Sequence, residues 1–405
     1  MARVTRRMLC RLLMVLLVVL GVYLLFLSEK AMGKKCTKEG SLAMLQKLCA
    51  LYAASKVDGN LCHKICSSDS LQYERCFNRL SGKKVLQVQL DGRRAMLKSR
   101  KAELSEYRPL FTGLLDGTDA SKFSPERFMT QEAFEIIVRD HVQTALGTTF
   151  SISKEELLRR AFLEPESLPK DLSNFQMNSL WALLQQEEYL FFTFFKDHSF
   201  FPKIYGACGH FYVEEYVPPG AVLQQSLSHG VRERFQSAAW QPRAQAAKDL
   251  LDIVKATETD FHSILHLCDV KPENFGIVDS KVKAIDIDIS FFDKTMGDFL
   301  EQPNCTKHED CDFFDCHGVC NLAMKKCTRE RKNNNFQAIC KDIFRRKLGN
   351  AGLLRHPPPR IEEEVSQLIQ RCVYPDEAER VAKGSSTETF RRLYRLLSDS
   401  TDREM

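Results

Sequence analysis

The chain has 405 residues, of which 44% are hydrophobic, enough for two lobes with their own cores or for two to three small domains. Its formal net charge is +5, and the four arginines among the first eleven residues supply most of that charge. The rest of the chain is close to neutral, which excludes the concentrated basic face of a nucleic-acid-binding protein.

An uncharged apolar segment occupies residues 12–27, directly after the arginine-rich residues 1–11. A segment of this length can span a bilayer when Arg11 and Lys30 reach the headgroups, and the arginines favour a cytoplasmic tail. We therefore predict a type II signal anchor, with everything after residue 27 in the lumen of the secretory pathway. A cleaved signal peptide is the alternative, although residues 28–33 contain no small-x-small cleavage site.

The chain contains fifteen cysteines, and all except Cys10 follow the apolar segment. An even number of cysteines behind a membrane anchor predicts disulfide bonds. Zinc binding is the alternative, because Cys62 and Cys66, and likewise Cys316 and Cys320, are separated by three residues.

The N-terminal half contains a predicted stem and cysteine-rich cap, residues 28–80, and a helical insertion, residues 102–172. The periodicity of apolar residues predicts a helix over 42–54 and a loop over 62–76, and in the insertion helices over 128–146 and 154–162. Acidic residues of the insertion lack the Asp-x-Asp-x-Asp-Gly order of a calcium loop, so a calcium site is not favoured.

Two predicted strands, residues 85–90 and 93–101, flank Asp91-Gly92, a dipeptide typical of hairpin turns. The second strand carries Lys98 after small and aliphatic residues, which is the setting of a nucleotide-phosphate-binding lysine. A solvent-facing lysine is the alternative. The residues before the hairpin, 81–84, contain one glycine, so any glycine-rich phosphate loop is reduced.

A long helix is predicted over residues 178–195, with Glu188 on its apolar face. A carboxylate in an apolar stripe requires a partner, and Lys98 of the neighbouring strand would supply it. An error of one residue in the register would replace Glu188 with Glu187, and two solvated glutamates remain the alternative. We assign Glu188 to the nucleotide site.

Two further strands, 202–206 and 210–217, end at a Pro-Pro-Gly sequence. They predict the last strands of an N-lobe, residues 81–217, and a hinge to a C-lobe, residues 218–405. Glu215 belongs to this hinge and is assigned to the nucleotide site. A helix is predicted over 241–266, and helical residues 365–394 complete the C-lobe.

The stretch between these helices has the spacing that phosphoryl transfer requires. Asp269 is followed after five residues by Asn274 and, beyond a short apolar hairpin, by Asp286. In kinases the first carboxylate orients the acceptor hydroxyl, and the amide and second carboxylate hold metal. Asp269 and Lys271 are therefore predicted catalytic residues, and Asn274 and Asp286 are predicted metal ligands. A hydrophilic turn between two strands is the alternative.

Two features depart from the usual kinase pattern. Leu267-Cys268 replaces the His-Arg pair before the catalytic aspartate, so the arginine that binds a phosphorylated activation loop is absent. The triplet after the hairpin is Asp286-Ile287-Asp288, with Asp288 where a glycine is expected. A second cysteine cluster, residues 305–340, occupies the position of the activation segment.

These residues together resemble the divergent protein kinase domain 1 family (family with sequence similarity 69), which are cysteine-rich type II membrane proteins of the endoplasmic reticulum. The resemblance rests on the arginine-rich anchor, residues 180–184, 212–218 and 268–274, and the distal cysteines. It implies an α+β, bilobal protein-kinase-like fold that binds ATP with Mg or Mn. Members of the family resemble EF-hand carriers, but residues 164–177 lack a calcium ligand run, so calcium is doubtful.

Three functions remain open at this point. The chain is an active lumenal kinase acting on a secretory-pathway protein or glycan, a pseudokinase that binds nucleotide or a partner, or a structural cysteine-rich protein. The near-neutral charge argues against nucleic acid as a partner, and the endoplasmic reticulum membrane is an expected partner through the N-terminal helix.

Overall fold

The computed structural model describes residues 36–77, 82–110, 130–147, 153–162, 172–220, 223, 240–346, 352–381 and 383–402. The predicted cytoplasmic tail and signal anchor, residues 1–27, lie outside these ranges. Within these ranges, no helix is both long enough and apolar enough to cross a membrane.

A cap of two helices precedes the sheet: α1 (Lys38–Ala53) and α2 (Cys62–Ile65). Helix α1 begins where the Thr37 hydroxyl accepts a hydrogen bond from the Gly40 amide at 3.0 Å. The helix predicted over 42–54 is confirmed. The loop predicted over 62–76 is wrong, because α2 and most of the first strand lie there and pair their backbone groups with neighbouring elements.

The N-lobe sheet has five antiparallel strands in the order β1-β2-β3-β5-β4. The strands are β1 (Leu71–Phe77), β2 (Lys84–Leu90), β3 (Arg93–Ser99), β4 (Ile204–Cys208) and β5 (Phe211–Glu215). The predicted hairpin between β2 and β3 is confirmed. Its turn residues Asp91 and Gly92 have φ of 49° and 76°, the left-handed values that a tight two-residue hairpin turn needs.

Disulfides attach the cap to both edges of this sheet. Cys36 is bonded to Cys76 of β1, and Cys62 is bonded to Cys208 of β4. A third bond, Cys49–Cys66, joins the two cap helices. Because β1 and β4 are the two edge strands, the cap is fixed covalently across the whole width of the sheet.

The helical insertion contains α3 (Gln131–Leu146) and α4 (Lys154–Phe162), as predicted, and α5 (Asn174–Leu184) and α6 (Glu187–Phe194) follow. The single helix predicted over 178–195 is wrong, because the helix is interrupted at Gln186. The Gln186 side chain accepts a hydrogen bond from the Arg100 amide at 2.8 Å and donates one to the His210 carbonyl at 2.8 Å. These bonds fix the break against the sheet.

The C-lobe is mainly helical, with short hairpins near the lobe interface. Its elements are α7 (Trp240–Thr259), β6 (Leu265–Leu267), β7 (Phe275–Val278), β8 (Lys281–Ala284), β9 (Ser290–Phe292), α8 (Asp293–Leu300), β10 (Gly318–Asn321), β11 (Lys326–Arg331), α9 (Asn335–Ile339), α10 (Glu362–Val373), α11 (Glu377–Val381) and α12 (Glu388–Asp402). The helix predicted over 241–266 is too long, because residues 265–267 pair with β9 instead. The helical stretch predicted over 365–394 is divided among α10, α11 and α12.

The cysteine-rich segment lies between α8 and α9. Two disulfides, Cys305–Cys320 and Cys311–Cys327, hold its β10–β11 hairpin. Cys268–Cys316 connects the segment to the loop after β6, and Cys340–Cys372 connects the residue after α9 to α10. All fourteen cysteines from Cys36 to Cys372 are therefore disulfide-bonded. The predicted disulfides are confirmed, and the zinc alternative is wrong, because a bonded sulfur offers no thiolate to a metal.

Two hydrophobic clusters meet at the sheet. Phe211 and Val213 of β5 pack with Leu48 of the cap, whereas Tyr212 packs into the larger cluster that extends through α6 and the C-lobe. Successive side chains of a strand point to opposite faces. Glu214, two residues after Tyr212, therefore points to the lobe interface, where the candidate active site lies.

Candidate active site

The predicted catalytic loop connects β6 to β7 and ends in a helical turn, Pro272–Asn274. Proline at the first position of this turn is preorganised for its φ angle. Asn274 Nδ2 donates hydrogen bonds to the carbonyl of Asp269 at 2.8 Å and to its Oδ2 at 2.9 Å. Lys271 Nζ lies 2.6 Å from the same Oδ2. Asp269, Lys271 and Asn274 are thus in direct contact.

The side-chain oxygen of Asn274, Oδ1, is available to accept a hydrogen bond or to bind a cation. Its side chain is 2% exposed, and no described residue donates a hydrogen bond to Oδ1. The Ile285 amide donates to the Asn274 carbonyl at 2.8 Å, which fixes the residue before Asp286 against the loop. A buried amide oxygen next to a carboxylate-bearing segment is the oxygen chemistry that Mg²⁺ and Mn²⁺ bind. The residues therefore fit a divalent cation.

Three carboxylates converge near this point. Glu188, Asp286 and Asp288 each offer an oxygen, and the three oxygens lie within 4.8 Å of one another. Asp288, the residue found in place of a glycine, therefore faces the same space as Asp286. Carboxylates this close repel one another unless a cation lies among them.

Lys98 lies on β3 and is 5% exposed. Its ammonium group is 3.2 Å from Glu188 Oε2 and 3.0 Å from the Ile285 carbonyl oxygen. The strand lysine and the helix glutamate that the sequence pairs are therefore in contact across the cleft. Glu187, the alternative partner, lies outside the cleft and binds Arg100 at 2.6 Å.

Three further side chains join this cluster, none of them predicted. Glu214 Oε1 lies 2.6 Å from Lys98, the Tyr212 hydroxyl donates to Glu188 at 2.6 Å, and Lys83 Nζ lies 2.6 Å from Glu188 Oε1. Strand alternation in residues 210–217 would have placed Tyr212 and Glu214 on the face of Lys98. Lys83 had no such signal, because it lies in a polar turn beside Lys84.

The cluster contains two ammonium groups and four carboxylates, on Lys83, Lys98, Glu188, Glu214, Asp286 and Asp288. Burial would raise the pKa of Glu188, but the two ammonium groups outweigh burial and lower it to about 2. Burial raises the pKa of Glu214 to about 7 and that of Asp288 to about 7, and the negative charge of Glu188 adds to both shifts. The cluster thus carries more acid than its two lysines neutralise.

Glu215, assigned to the nucleotide site from its hinge position, lies at the end of β5. Its Oε2 is 2.6 Å from Lys283 Nζ and accepts a hydrogen bond from the Lys203 amide at 3.1 Å. The carboxylate therefore connects β4 and β5 to the β7–β8 hairpin of the C-lobe, and it does not join the cluster around Lys98.

Comparison with known proteins identifies the family. Residues 180–375 match a family model described as the protein-kinase domain of FAM69, and residues 2–160 match one described as the N-terminal cysteine-rich endoplasmic reticulum region of FAM69. The chain belongs to the FAM69 family. It is also similar to divergent protein kinase domain 2A of Xenopus tropicalis, with 24% identity over 388 residues, 90% of this chain and 76% of the relative.

The two FAM69 regions contribute to one cleft. Asp269, Asn274, Asp286 and Glu188 fall in the kinase region, whereas Lys98 falls in the region described as N-terminal and cysteine-rich. Strands β1, β2 and β3 also belong to that region, although they form most of the N-lobe sheet. The kinase-like fold of this FAM69 protein is therefore complete only when both regions are present.

The cysteine-rich segment of this FAM69 chain is bonded to the predicted catalytic loop. Cys268, in the position of the missing arginine, forms a disulfide with Cys316. The Asp315 amide donates to the Cys268 carbonyl at 2.8 Å, and Asp315 Oδ2 accepts from the Val270 amide at 2.8 Å. A covalent bond and two hydrogen bonds therefore hold the backbone on both sides of Asp269.

A cavity of about 760 Å³ lies away from this cluster, between α1 of the cap and α5. Its lining includes Leu48, Leu51, Trp181 and His210, but none of the lysines or carboxylates described above. Its size does not make it the candidate active site, because phosphoryl transfer requires several convergent charged groups and the one carboxylate among the described residues that line it, Glu103, is already paired with Lys47 at 2.7 Å.

Proposed function

We propose that this FAM69 chain binds ATP with Mg²⁺ or Mn²⁺ between its lobes and transfers the γ-phosphate to a hydroxyl group of a secretory-pathway protein or glycan. The observation that carries the proposal is the buried Asn274 Oδ1, an acceptor without a donor among the described residues, beside the segment that bears Asp286. An oxygen in this state costs free energy unless a cation or another ligand satisfies it.

The proposed roles follow from the contacts. Asp286 and Asn274 would hold the divalent cation, which neutralises charge on the nucleotide phosphates. Asp269 would accept a hydrogen bond from the acceptor hydroxyl and orient it. Lys271, 2.6 Å from Asp269, supports this role by holding the carboxylate in place. The Lys98–Glu188 ion pair would fix the N-lobe side of the cleft.

A pseudokinase that binds nucleotide without transfer is the second candidate. The contacts of Lys98 favour this candidate, because its ammonium group already binds two carboxylates and a carbonyl oxygen. Asp288 also adds a carboxylate where kinases have a glycine, which alters the space next to the metal. These features are compatible with binding but change the environment of the phosphates.

Nucleotide-dependent thermal stabilisation of the purified chain tests the proposal, because a ligand that binds the native state raises its stability by mass action. We expect ATP with Mn²⁺ or Mg²⁺ to raise Tm, and Asp286→Ala to abolish the metal-dependent part. Asp269→Ala should leave the Tm shift intact and reduce transfer about 10²–10⁴-fold, since it acts mainly in the transition state.

The outcomes separate the candidates. Wild-type binding with transfer supports the kinase, and wild-type binding without transfer to any acceptor supports the pseudokinase. A wild-type protein whose Tm does not respond to ATP with either metal would contradict both, and the cleft would then be a remnant of the fold.

We also propose that the chain is a type II membrane protein of the endoplasmic reticulum with its kinase-like domain in the lumen. The description of the matching N-terminal family model supports this compartment. Seven disulfides support an oxidising environment. The apolar residues 12–27 behind four arginines support the anchor and its orientation.

A further inference from the structure

Lys83 enters the cleft from the turn that leads into β2. It follows Gly82, which has a φ of 79°, and its side chain is 7% exposed. Its ammonium group lies 2.6 Å from Glu188 Oε1, 3.1 Å from Asp288 Oδ2 and 3.7 Å from Asp286 Oδ1. A surface lysine of a polar turn would extend into water, so this inward orientation requires an explanation.

All three N–H groups of Lys98 already have acceptors, so none is available to a phosphate. An ammonium group donates three hydrogen bonds. Those of Lys98 are directed at Glu188 (3.2 Å), Glu214 (2.6 Å) and the Ile285 carbonyl (3.0 Å). Any phosphate contact by Lys98 would therefore break one of these bonds, and a buried acceptor such as Glu214 Oε1 would lose this partner, which is costly.

Lys83 is in the opposite situation. All three of its partners, Glu188, Asp286 and Asp288, belong to the group of carboxylates that offers oxygens to a cation. A divalent cation held by these carboxylates would compete with Lys83 for the same oxygens. The ammonium group of Lys83 would then be free to turn toward the phosphates.

The polar turn also lacks the usual means of binding phosphate. Kinases cover the phosphates with backbone amides of a glycine-rich loop. Here residues 81–84 contain a single glycine, Gly82. A lysine in this turn supplies a full positive charge where backbone amides would supply partial charges.

We infer that Lys83 is a phosphate-binding residue of the nucleotide site, and that Lys98 serves mainly to position Glu188 and Glu214. This inference rests on the proposed nucleotide binding, but not on transfer, so it holds for a kinase and for a pseudokinase. Lys83 thus replaces the contacts that a full glycine-rich loop makes.

The test compares Lys83→Met with Lys84→Met, which removes a neighbouring lysine that makes no ion pair among the described residues. ATP affinity is measured by titration in Mn²⁺ and in Mg²⁺, with the Tm of the nucleotide-free protein recorded for each variant. We expect Lys83→Met to weaken ATP binding about 10- to 100-fold, the usual effect of losing a charged hydrogen bond. Lys84→Met should bind as wild type does, and Lys83→Arg should retain part of the affinity.

A second measurement uses the wild-type protein and does not depend on the folding of a variant. An ATP derivative with an acyl group on its terminal phosphate is added. The nitrogen of a lysine beside the phosphates takes the acyl group, and the nucleotide leaves with its phosphate. Mass spectrometry should locate the new amide on Lys83.

Two results would overturn the inference alone: wild-type affinity in a folded Lys83→Met protein, or acylation of Lys98 without Lys83. Lys83 would then be a structural ion-pair partner of Glu188, and the nucleotide site itself would stand. Absence of ATP binding by the wild-type protein would instead remove the proposed function, and this inference with it.

Discussion

His210 shows how burial can dominate the pKa of a single residue outside the cleft. It lies in the turn between β4 and β5, is 2% exposed, and donates from Nε2 to the Ala102 carbonyl at 3.2 Å. No described residue bonds to its Nδ1. Burial lowers the pKa of His210 to about 4, and the nearby negative charges of Glu106 and Glu103 offset only part of this effect.

Stability should therefore fall in mild acid. Because the pKa is near 6.5 in the unfolded chain and about 4 in the folded one, protonation below pH 6.5 favours unfolding. The cost is absent above this pH and reaches about 2 kcal/mol at pH 5. Urea unfolding at pH 7.5 and pH 5 should show His210→Gln to be less pH-dependent than wild type by about this amount.

His63→Gln is the matched control, since His63 is an exposed residue of α2. It should keep the full pH dependence of the wild type. Equal pH dependence in the two variants would mean that His210 is protonated in the folded protein at pH 5.

At the same scale, the sequence predicted the residues of the cleft that have fixed spacing. Asp269, Lys271 and Asn274 are close in the chain, so their contacts follow from one turn. Lys98 and Glu188 come from separate elements, but each had a pattern. Lys98 lies on the second strand of a predicted hairpin, and Glu188 is a charge on an apolar helix face. Lys83 had no pattern, because its inward orientation depends on distant carboxylates that no local rule predicts.

At the scale of elements, the cysteine-rich segment takes the place of an activation segment. Kinases commonly use an arginine beside the catalytic aspartate to bind a phosphorylated residue of that segment. Here a disulfide between Cys268 and Cys316 makes the connection, and Asp315 adds two hydrogen bonds to the loop. This connection is permanent under oxidising conditions and requires no phosphate.

Breaking that disulfide should loosen the catalytic loop. In a Cys268→Ser, Cys316→Ser variant, we expect faster hydrogen exchange at the Val270 amide, which donates to Asp315 Oδ2. Any transfer activity should fall, while ATP binding should persist, since the nucleotide side of the cleft is not bonded to this segment. Hydrogen exchange with mass spectrometry and an ATP titration measure the two effects.

The control is a Cys305→Ser, Cys320→Ser variant, which removes a disulfide of the same segment that does not reach the catalytic loop. Loop-closure entropy predicts a stability loss only about 1 kcal/mol smaller for this variant, because its disulfide closes 15 residues rather than 48. Equal protection of Val270 in both variants would show that hydrogen bonds alone hold the loop.

The sequence predicted most elements but not their interruptions. The α3 and α4 helices and the β2–β3 hairpin have clear periodicity or turn residues, and they were predicted. The break at Gln186 was not, because the apolar face of residues 178–195 continues past it and the break depends on contacts of Gln186 with Arg100, after β3, and His210, before β5. Strand β1 was missed because polar and charged residues such as Gln72, Glu74 and Arg75 in a cysteine-rich context are typical of a loop.

At the scale of the whole molecule, the proposed orientation makes a prediction about access. If residues 12–27 anchor the chain with its C-terminus in the lumen, protease added outside sealed microsomes should leave nearly the full chain intact. Detergent should then make the same protease effective, which controls for intrinsic resistance of a disulfide-rich fold. Digestion of the kinase-like domain without detergent would contradict the type II orientation.

The bond between Cys62 and Cys208 has a consequence for biosynthesis. The two cysteines are 146 residues apart, so Cys62 is synthesised long before its partner. Until the ribosome has completed β4, Cys62 has only incorrect partners, and Cys49 and Cys66 are the nearest. The cap therefore reaches its final pairing only after most of the N-lobe has been made, and a thiol–disulfide isomerase that corrects early pairing would raise the yield of this protein.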